Sequence, residues 1–320
     1  MTAEPPRGQG ALPAIAPDRR ADAAAAAVLR ALAATIEASI PGAISGADPE
    51  HLHQLRVALR RTRTVARQLA GVFEPSSLPG FRADLRWLQR ATGPARDLDV
   101  YVGQLDSLLE LVPAGDRAAL QGLAPALERR RLRARAALTE ALTSSRTSQL
   151  LADWEAMLES LVAAPTLERP DALLAIGDLA ARRVRRCYER VIRPGRRLGP
   201  SSPAADYHEL RKRAKELRYM LELFGPVLPA SVVDALVGPL RALQDVLGRH
   251  QDREVQIALL RSLADELART PGGGTACLVM GILCARLEAD AARARERFAK
   301  RLSVLASRSQ RRLVASLLGG

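Results

Sequence analysis

The chain is predicted to be all-α, folding as two pseudo-symmetric four-helix bundles, and three observations carry that prediction. Ala, Leu and Arg dominate its 320 residues while aromatic residues reach only 3%, a helical composition poor in strand formers. Apolar residues recur every three to four positions, and no segment alternates with period two for long enough to make a strand. Finally, the sequence repeats itself. HQLRVALRRTR at 53–63 returns as HELRKRAKELR at 208–218, so that His53, Arg56, Arg60 and Arg63 stand 155 positions before His208, Arg211, Lys215 and Arg218. The same offset carries Leu85, Arg86, Leu88, Gln89, Gly93, Asp97 and Val100 onto Leu240, Arg241, Leu243, Gln244, Gly248, Asp252 and Val255. An ungapped repeat of about fifty residues marks two related halves. Further on, Leu127, Glu128, Arg133 and Arg135 return as Leu287, Glu288, Arg293 and Arg295 at an offset of 160, the Pro271–Gly274 loop holding the extra residues.

Taken in order, residues 1–19 read as a disordered Pro/Gly lead-in. The first bundle spans 20–146. Its helices run from about Arg20 to Ile40, ended by Pro41-Gly42; from a cap near Asp48 to about Phe73, before Pro75; from Leu78 to Thr92, broken at Gly93-Pro94; from Ala95 to Leu111; and from Asp116 to about Ser144. Residues 147–165 hold a short bridging helix, Ser148 to Ala163. The second bundle spans 166–306, with helices from Asp171 to Ile192, ended by Pro194-Gly195, then Tyr207–Phe224, Pro229–Leu247, Gln251–Ala268 and Thr275–Leu305. A C-terminal helix or tail fills 307–320.

Charge narrows the function. Forty-eight Lys and Arg against 35 Asp and Glu leave a formal charge of +13, which points to a polyanionic partner such as nucleic acid, an anionic membrane or a phosphate polymer. No basic, apolar leader opens the chain and no apolar run of about twenty residues follows, so a cytoplasmic protein with no membrane span is expected. The three cysteines form no CxxC and read as small buried thiols in a reducing compartment.

The repeated stretch concentrates this charge. On a helix, Arg56, Arg60, Arg63 and Arg67 fall within about 80° of His53, opposite Leu55, Leu59, Thr62, Ala66 and Leu69. This is a basic ladder about 20 Å long, and no Asp or Glu occurs between His51 and Phe73 to neutralise it. A helix exposed only for solubility mixes its signs. Further Arg clusters occur at 182–190, 129–135 and 293–301. With the ladders facing, they would line a deep basic groove or pore, and like charges held that close persist only where a bound anion neutralises them.

The pattern His53-x-x-Arg56-x-x-x-Arg60-x-x-Arg63 with a following Phe73, repeated from His208, resembles the CHAD family of histidine-bearing α-helical domains. The segments Ala95-Arg96-Asp97-Leu98-Asp99-Val100 and Leu247-Gly248-(x)3-Asp252-(x)2-Val255 resemble that family's helix junctions, and the likeness covers roughly residues 20–305. It implies two four-helix bundles about a basic pore, binding of inorganic polyphosphate, and collection at polyphosphate granules. By resemblance the ligand role falls to His53, Arg56, Arg60, Arg63, His208, Arg211, Lys212, Lys215 and Arg218. Face geometry adds Arg67, whose counterpart Glu222 departs from the pattern, and the flanking clusters add Arg133, Arg182, Arg186 and Arg293. No ExExK motif occurs, so the triphosphate-tunnel chemistry that accompanies the domain in many relatives is not expected.

Polyphosphate suits such a ladder, because one guanidinium per helical turn can follow a linear chain of charges. Nucleic acid, bound non-specifically, is the alternative partner. Single-strand binders offer stacking aromatics, whereas Phe73, Trp87 and Phe224 fall on apolar faces here. A catalytic role would need a P-loop or metal-holding acids. There is no GxxxxGK[ST], and Asp97, Asp99, Asp252 and Glu254 read as helix caps or Arg partners. His51 and His53 point to different sides of their helix and His250 reads as a loop residue, so no metal, cofactor or catalytic residue is expected.

Overall fold

A computed structural model of the chain describes residues 13–163 and 168–318; among them lie eleven α-helices and no strand. The first is α1, Ala21–Ser45. Pro41 does not end it. The ring removes the hydrogen bond to the carbonyl of Glu37, but both residues face solvent, where water takes the donor's place. Gly46 ends the helix instead, at φ 69°, with its N–H on the Gly42 carbonyl. Gly42 makes room for a neighbour, since the His51 ring lies where a Cβ would stand.

Asp48 caps α2, Pro49–Gln68, by accepting from the Glu50 N–H at 2.8 Å, as its sequence predicts. After a 3₁₀ turn at Ala70–Val72 come α3, Leu78–Ala91, and α4, Gly93–Leu109. A second 3₁₀ segment, Ala114–Leu120, precedes α5, Leu123–Thr143, where one helix was expected from Asp116. Then α6 spans Ser145–Ala163. It is no mere bridge: Leu150, Trp154, Leu158 and Leu161 are buried on one face, and Trp154 meets Phe81 edge-on with centroids 5.1 Å apart.

The second half contains α7, Ile176–Gly195; α8, Ala204–Phe224; α9, Ala230–Ala268; α10, Gly273–Leu305; and α11, Arg308–Ala315. The two helices expected from Pro229 to Ala268 are one, 39 residues long. The reason lies at the repeat. Pro94 breaks the chain between α3 and α4, whereas its counterpart Arg249 has an N–H and lets the helix run on. His250 is therefore a helix residue and is buried, not a loop residue. Pro239 also lies inside α9; it leaves the Ala235 carbonyl without a helical donor, and Gln310 on α11 supplies one at 2.7 Å.

The halves meet at their beginnings. Arg20 pairs with Ala175, its own counterpart at the 155 offset. Around that pair the Ala21 N–H donates to Leu174 and the Ile176 N–H to Arg19, both at 2.8 Å; likewise Asp22 donates to Ala172 and Gly177 to Pro17. Each bond becomes the other under the same offset, the reciprocity that a twofold-related pair of segments produces. Residues 17–19 are thus bonded into the fold, while residues 1–12 of the expected disordered lead-in lie outside the described residues.

The main apolar core draws on both halves. It joins α1, α2, α3 and α6 to α7, α8, the first half of α9 and the end of α10. A second cluster lies where α4, α5 and the Ala114–Leu120 turn meet the far ends of α9 and α10, through Leu105, Leu123, Leu127, Leu263 and Leu283 among others. Contrary to the sequence-based expectation, one helix is long and apolar enough by length and composition to cross a membrane: α1, with a mean hydropathy of 1.5. Half of that stretch is buried here, and α1 packs against α2 and α6. Cys187 is buried, Cys277 and Cys284 are half-buried, and all three are free.

Candidate functional site

The basic faces of α2 and α8 converge on one cavity of about 410 Å³. From α2 it takes Arg60, Arg63, Thr64 and Arg67; from α8, Arg211, Lys212, Lys215, Glu216 and Tyr219; and from α3, Arg82 and Arg86. Eight cations thus surround one carboxylate. The charge leaves its mark on the groups themselves. Burial first, and then Arg211 and Arg60, pull the Lys215 ammonium down to about 7. Burial, then Arg67, Arg86 and Arg60, lower Arg63 in the same way.

The lone carboxylate is bound up in packing. Glu216 is buried and receives Arg67 at 2.5 Å, Arg190 at 3.5 Å and the Gln68 amide. On the same interface Arg61 of α2 pairs with Glu222 of α8 at 3.0 Å. The repeat aligns Arg61 with Glu216 and Arg67 with Glu222, so each pair is the other exchanged, with α2 supplying both cations and α8 both anions. Glu222 also accepts Arg218 at 2.5 Å.

That exchange makes the groove lopsided. Arg63, Arg67, Arg82 and Arg86 line its first-half corner. Their counterparts Arg218, Glu222, Val237 and Arg241 line a separate hollow of about 120 Å³ that is close to neutral. Arg218 therefore does not reach the basic cavity, although the resemblance made it a ligand. Sequence reasoning missed Arg82 and Arg86. Retention of Arg86 as Arg241 was the available signal; for Arg82 there was none, because Val237 replaces it. Arg82 also caps α2, donating through Nε to the Ala66 carbonyl at 3.2 Å.

Arg56 is placed elsewhere. It is buried, and its Nη1 donates to the Gln89 carbonyl and the Thr92 hydroxyl, each at 3.0 Å, tying the end of α3 to the start of α4. Burial, with Arg60 second, lowers it to about 10. Arg211, its counterpart, has no such break to bind because α9 is continuous; it lines the cavity with Asp252 3.7 Å away. Nor do the histidines line the cavity. His53 Nδ1 lies 3.3 Å from Arg96, and His208 Nδ1 lies 2.5 Å from Gln251, the residue 155 positions after Arg96. Burial and then Arg96 lower the His53 pKa from its ordinary value.

The outer clusters divide. Arg133 is exposed and folds back on the Arg129 carbonyl at 3.3 Å, Arg182 is exposed and lines none of the basic cavities, and Arg293 pairs with Asp290 at 3.3 Å. Burial opposes ionisation of Asp290, yet hydrogen bonds from Arg253 and Arg249 hold it at about 2. Asp99 receives Arg131 and Arg135, an Arg partner as the sequence suggested. Only Arg186, among these four expected contacts, lines basic cavities, and they lie beside α7. Among the described residues no group of three or more His, Cys, Asp or Glu is arranged to hold a metal.

The fold and site together define an all-helical protein built from a repeated basic helix around an Arg- and Lys-lined groove. The chain belongs to the CHAD domain family, whose model matches residues 27–261. A crystal structure of the CHAD domain from the plant Ricinus communis superposes with a TM-score of 0.77 at 26% identity, covering 92% of this chain and 95% of that one. PptA from Streptomyces chartreusis shares the fold, with a TM-score of 0.66 at 19% identity over 88% of this chain and 99% of that one. Two uncharacterized proteins from strains of Mycobacterium tuberculosis are each 31% identical over 209 residues, 64% of this chain; the matched region spans 38% of their own length.

Proposed function

We propose that the protein binds inorganic polyphosphate, without turning it over, in the groove between α2 and α8. One observation carries the reading: eight cations line a 410 Å³ cavity whose single carboxylate is already engaged by two arginines and a glutamine. Among the described residues, no carboxylate pairs with Arg60, Arg63, Arg86 or Lys215. A linear polymer of phosphates supplies the missing charge and needs no bases or stacking surfaces to be read. Phe73 and Phe224 are buried in the core, and the cavity lining holds a single aromatic residue, Tyr219. Association with polyphosphate granules follows as the place where such a ligand concentrates.

The test is binding of long-chain polyphosphate at two salt concentrations, with single- and double-stranded DNA as competitors. Arg63→Ala/Lys212→Ala runs alongside, because both side chains line the groove and neither lies in the apolar core. Polyphosphate outcompeting DNA, with most affinity lost in the double variant, supports the reading. Equal competition by DNA and an unaffected variant would make the groove a generic charged surface and favour nucleic acid. Arg56 is a poor probe, since its loss opens the α3–α4 joint.

A further inference from the structure

The basic groove does not stop at α2. Arg67 also lines a second cavity of about 250 Å³ together with Arg186 and Arg190 of α7. Those two in turn line a third, of about 760 Å³, with Arg193 of α7 and Arg213 of α8. Consecutive cavities thus share arginines. At the first junction Glu216 holds Arg67 on one oxygen and Arg190 on the other, fixing the two guanidiniums side by side. Among the described residues no carboxylate pairs with Arg186, Arg193 or Arg213.

This face is not inherited from the repeat. At the 155 offset, Ala31, Thr35, Ala38 and Ala58 stand where α7 and α8 have Arg186, Arg190, Arg193 and Arg213. The covering differs too. Where α1 packs along the 19-residue α6, α7 meets the eight-residue α11, and the largest of the three cavities stays open between them. These cations occur on one half alone, all but Arg190 lack a carboxylate partner among the described residues, and they are continuous with the groove. We infer that the α7 face, from Arg67 to Arg193, is a second stretch of the anion track, occupied only by a polyphosphate chain too long for the α2–α8 groove. The inference rests on the polyphosphate reading and adds to it a preference for long chains, set by one side of the molecule.

The experiment compares tripolyphosphate with long-chain polyphosphate on the full chain and on Arg186→Ala/Arg193→Ala, which removes two exposed side chains without carboxylate partners. The expected result is a loss on the order of tenfold in long-chain affinity with tripolyphosphate binding unchanged. The groove variant Arg63→Ala/Lys212→Ala weakens both ligands. If the α7 variant holds the long chain as tightly as wild type, or loses tripolyphosphate equally, the extension is overturned while the groove stands. If wild type binds neither ligand, the polyphosphate reading fails and the extension fails with it.

Discussion

Burial, and then Arg211 and Arg60, lower the Lys215 pKa to about 7, and the opposing pull of Asp252 does not restore it. A bound polyanion raises that pKa again, so binding takes up a proton above about pH 7. Affinity for polyphosphate is therefore expected to fall by up to tenfold per pH unit above 7, and Lys215→Met to flatten the profile; a pH titration of binding checks both. The stability effect has the opposite sign. The folded pKa lies below the unfolded value of 10.5, so between about pH 7 and 10.5 the unfolded chain binds more protons and this group's contribution to stability rises with pH. Lys215→Met removes that rise, which thermal melts at pH 7 and 9 detect. Glu216 makes the complementary prediction. Glu216→Gln frees Arg67 and Arg190 for ligand, so polyphosphate affinity rises, while stability falls by about 1–3 kcal/mol because charge-assisted bonds to a buried acceptor are lost. Denaturant melts and binding isotherms on one preparation separate the two effects.

At the level of elements, the repeat diverges in its helix breaks, and this decides what equivalent residues do. Pro94 interrupts the first half and gives Arg56 a joint to hold; Arg249 keeps α9 whole and leaves Arg211 to the groove. Arg56→Ala is expected to cost about 2 kcal/mol of stability with little change in polyphosphate affinity, and Arg211→Ala to do the reverse. Melting temperatures set against affinities give the answer, and identical behaviour of the two variants would falsify the division of labour. Pro239 exposes a similar dependence. Gln310→Ala removes the donor to the Ala235 carbonyl and is expected to lower stability by about 1 kcal/mol, read from denaturant unfolding.

For the whole molecule, a groove lined by eight cations and one carboxylate predicts a strong response to salt. If six phosphates are neutralised and the polymer releases counterions as a single strand does, the logarithm of affinity falls with the logarithm of salt at a slope of about −4. Titrations across a salt series measure it, and a slope near zero would rule out the groove as the binding surface. The same charge sets the architecture in tension, because α2 and α8 must approach while presenting like charges. The exchanged pairs Arg61–Glu222 and Arg67–Glu216 hold them together beside the cavity.

The all-α class, the repeat and the two basic ladders were legible in the sequence. Composition, period and spacing are local properties of the chain, and a repeated amphipathic helix must bury the same face twice. Only the tertiary structure decided which ladder members meet. Arg60, Arg63, Arg67, Arg211, Lys212 and Lys215 converge, whereas Arg56 turns into a helix joint and Arg218 is neutralised by Glu222. Arg82 and Arg86 arrive from a helix whose pattern says only that one side is polar. The physical reason is that periodicity specifies the buried face of a helix, while the neighbours of its exposed face depend on where other helices break, cross and run on.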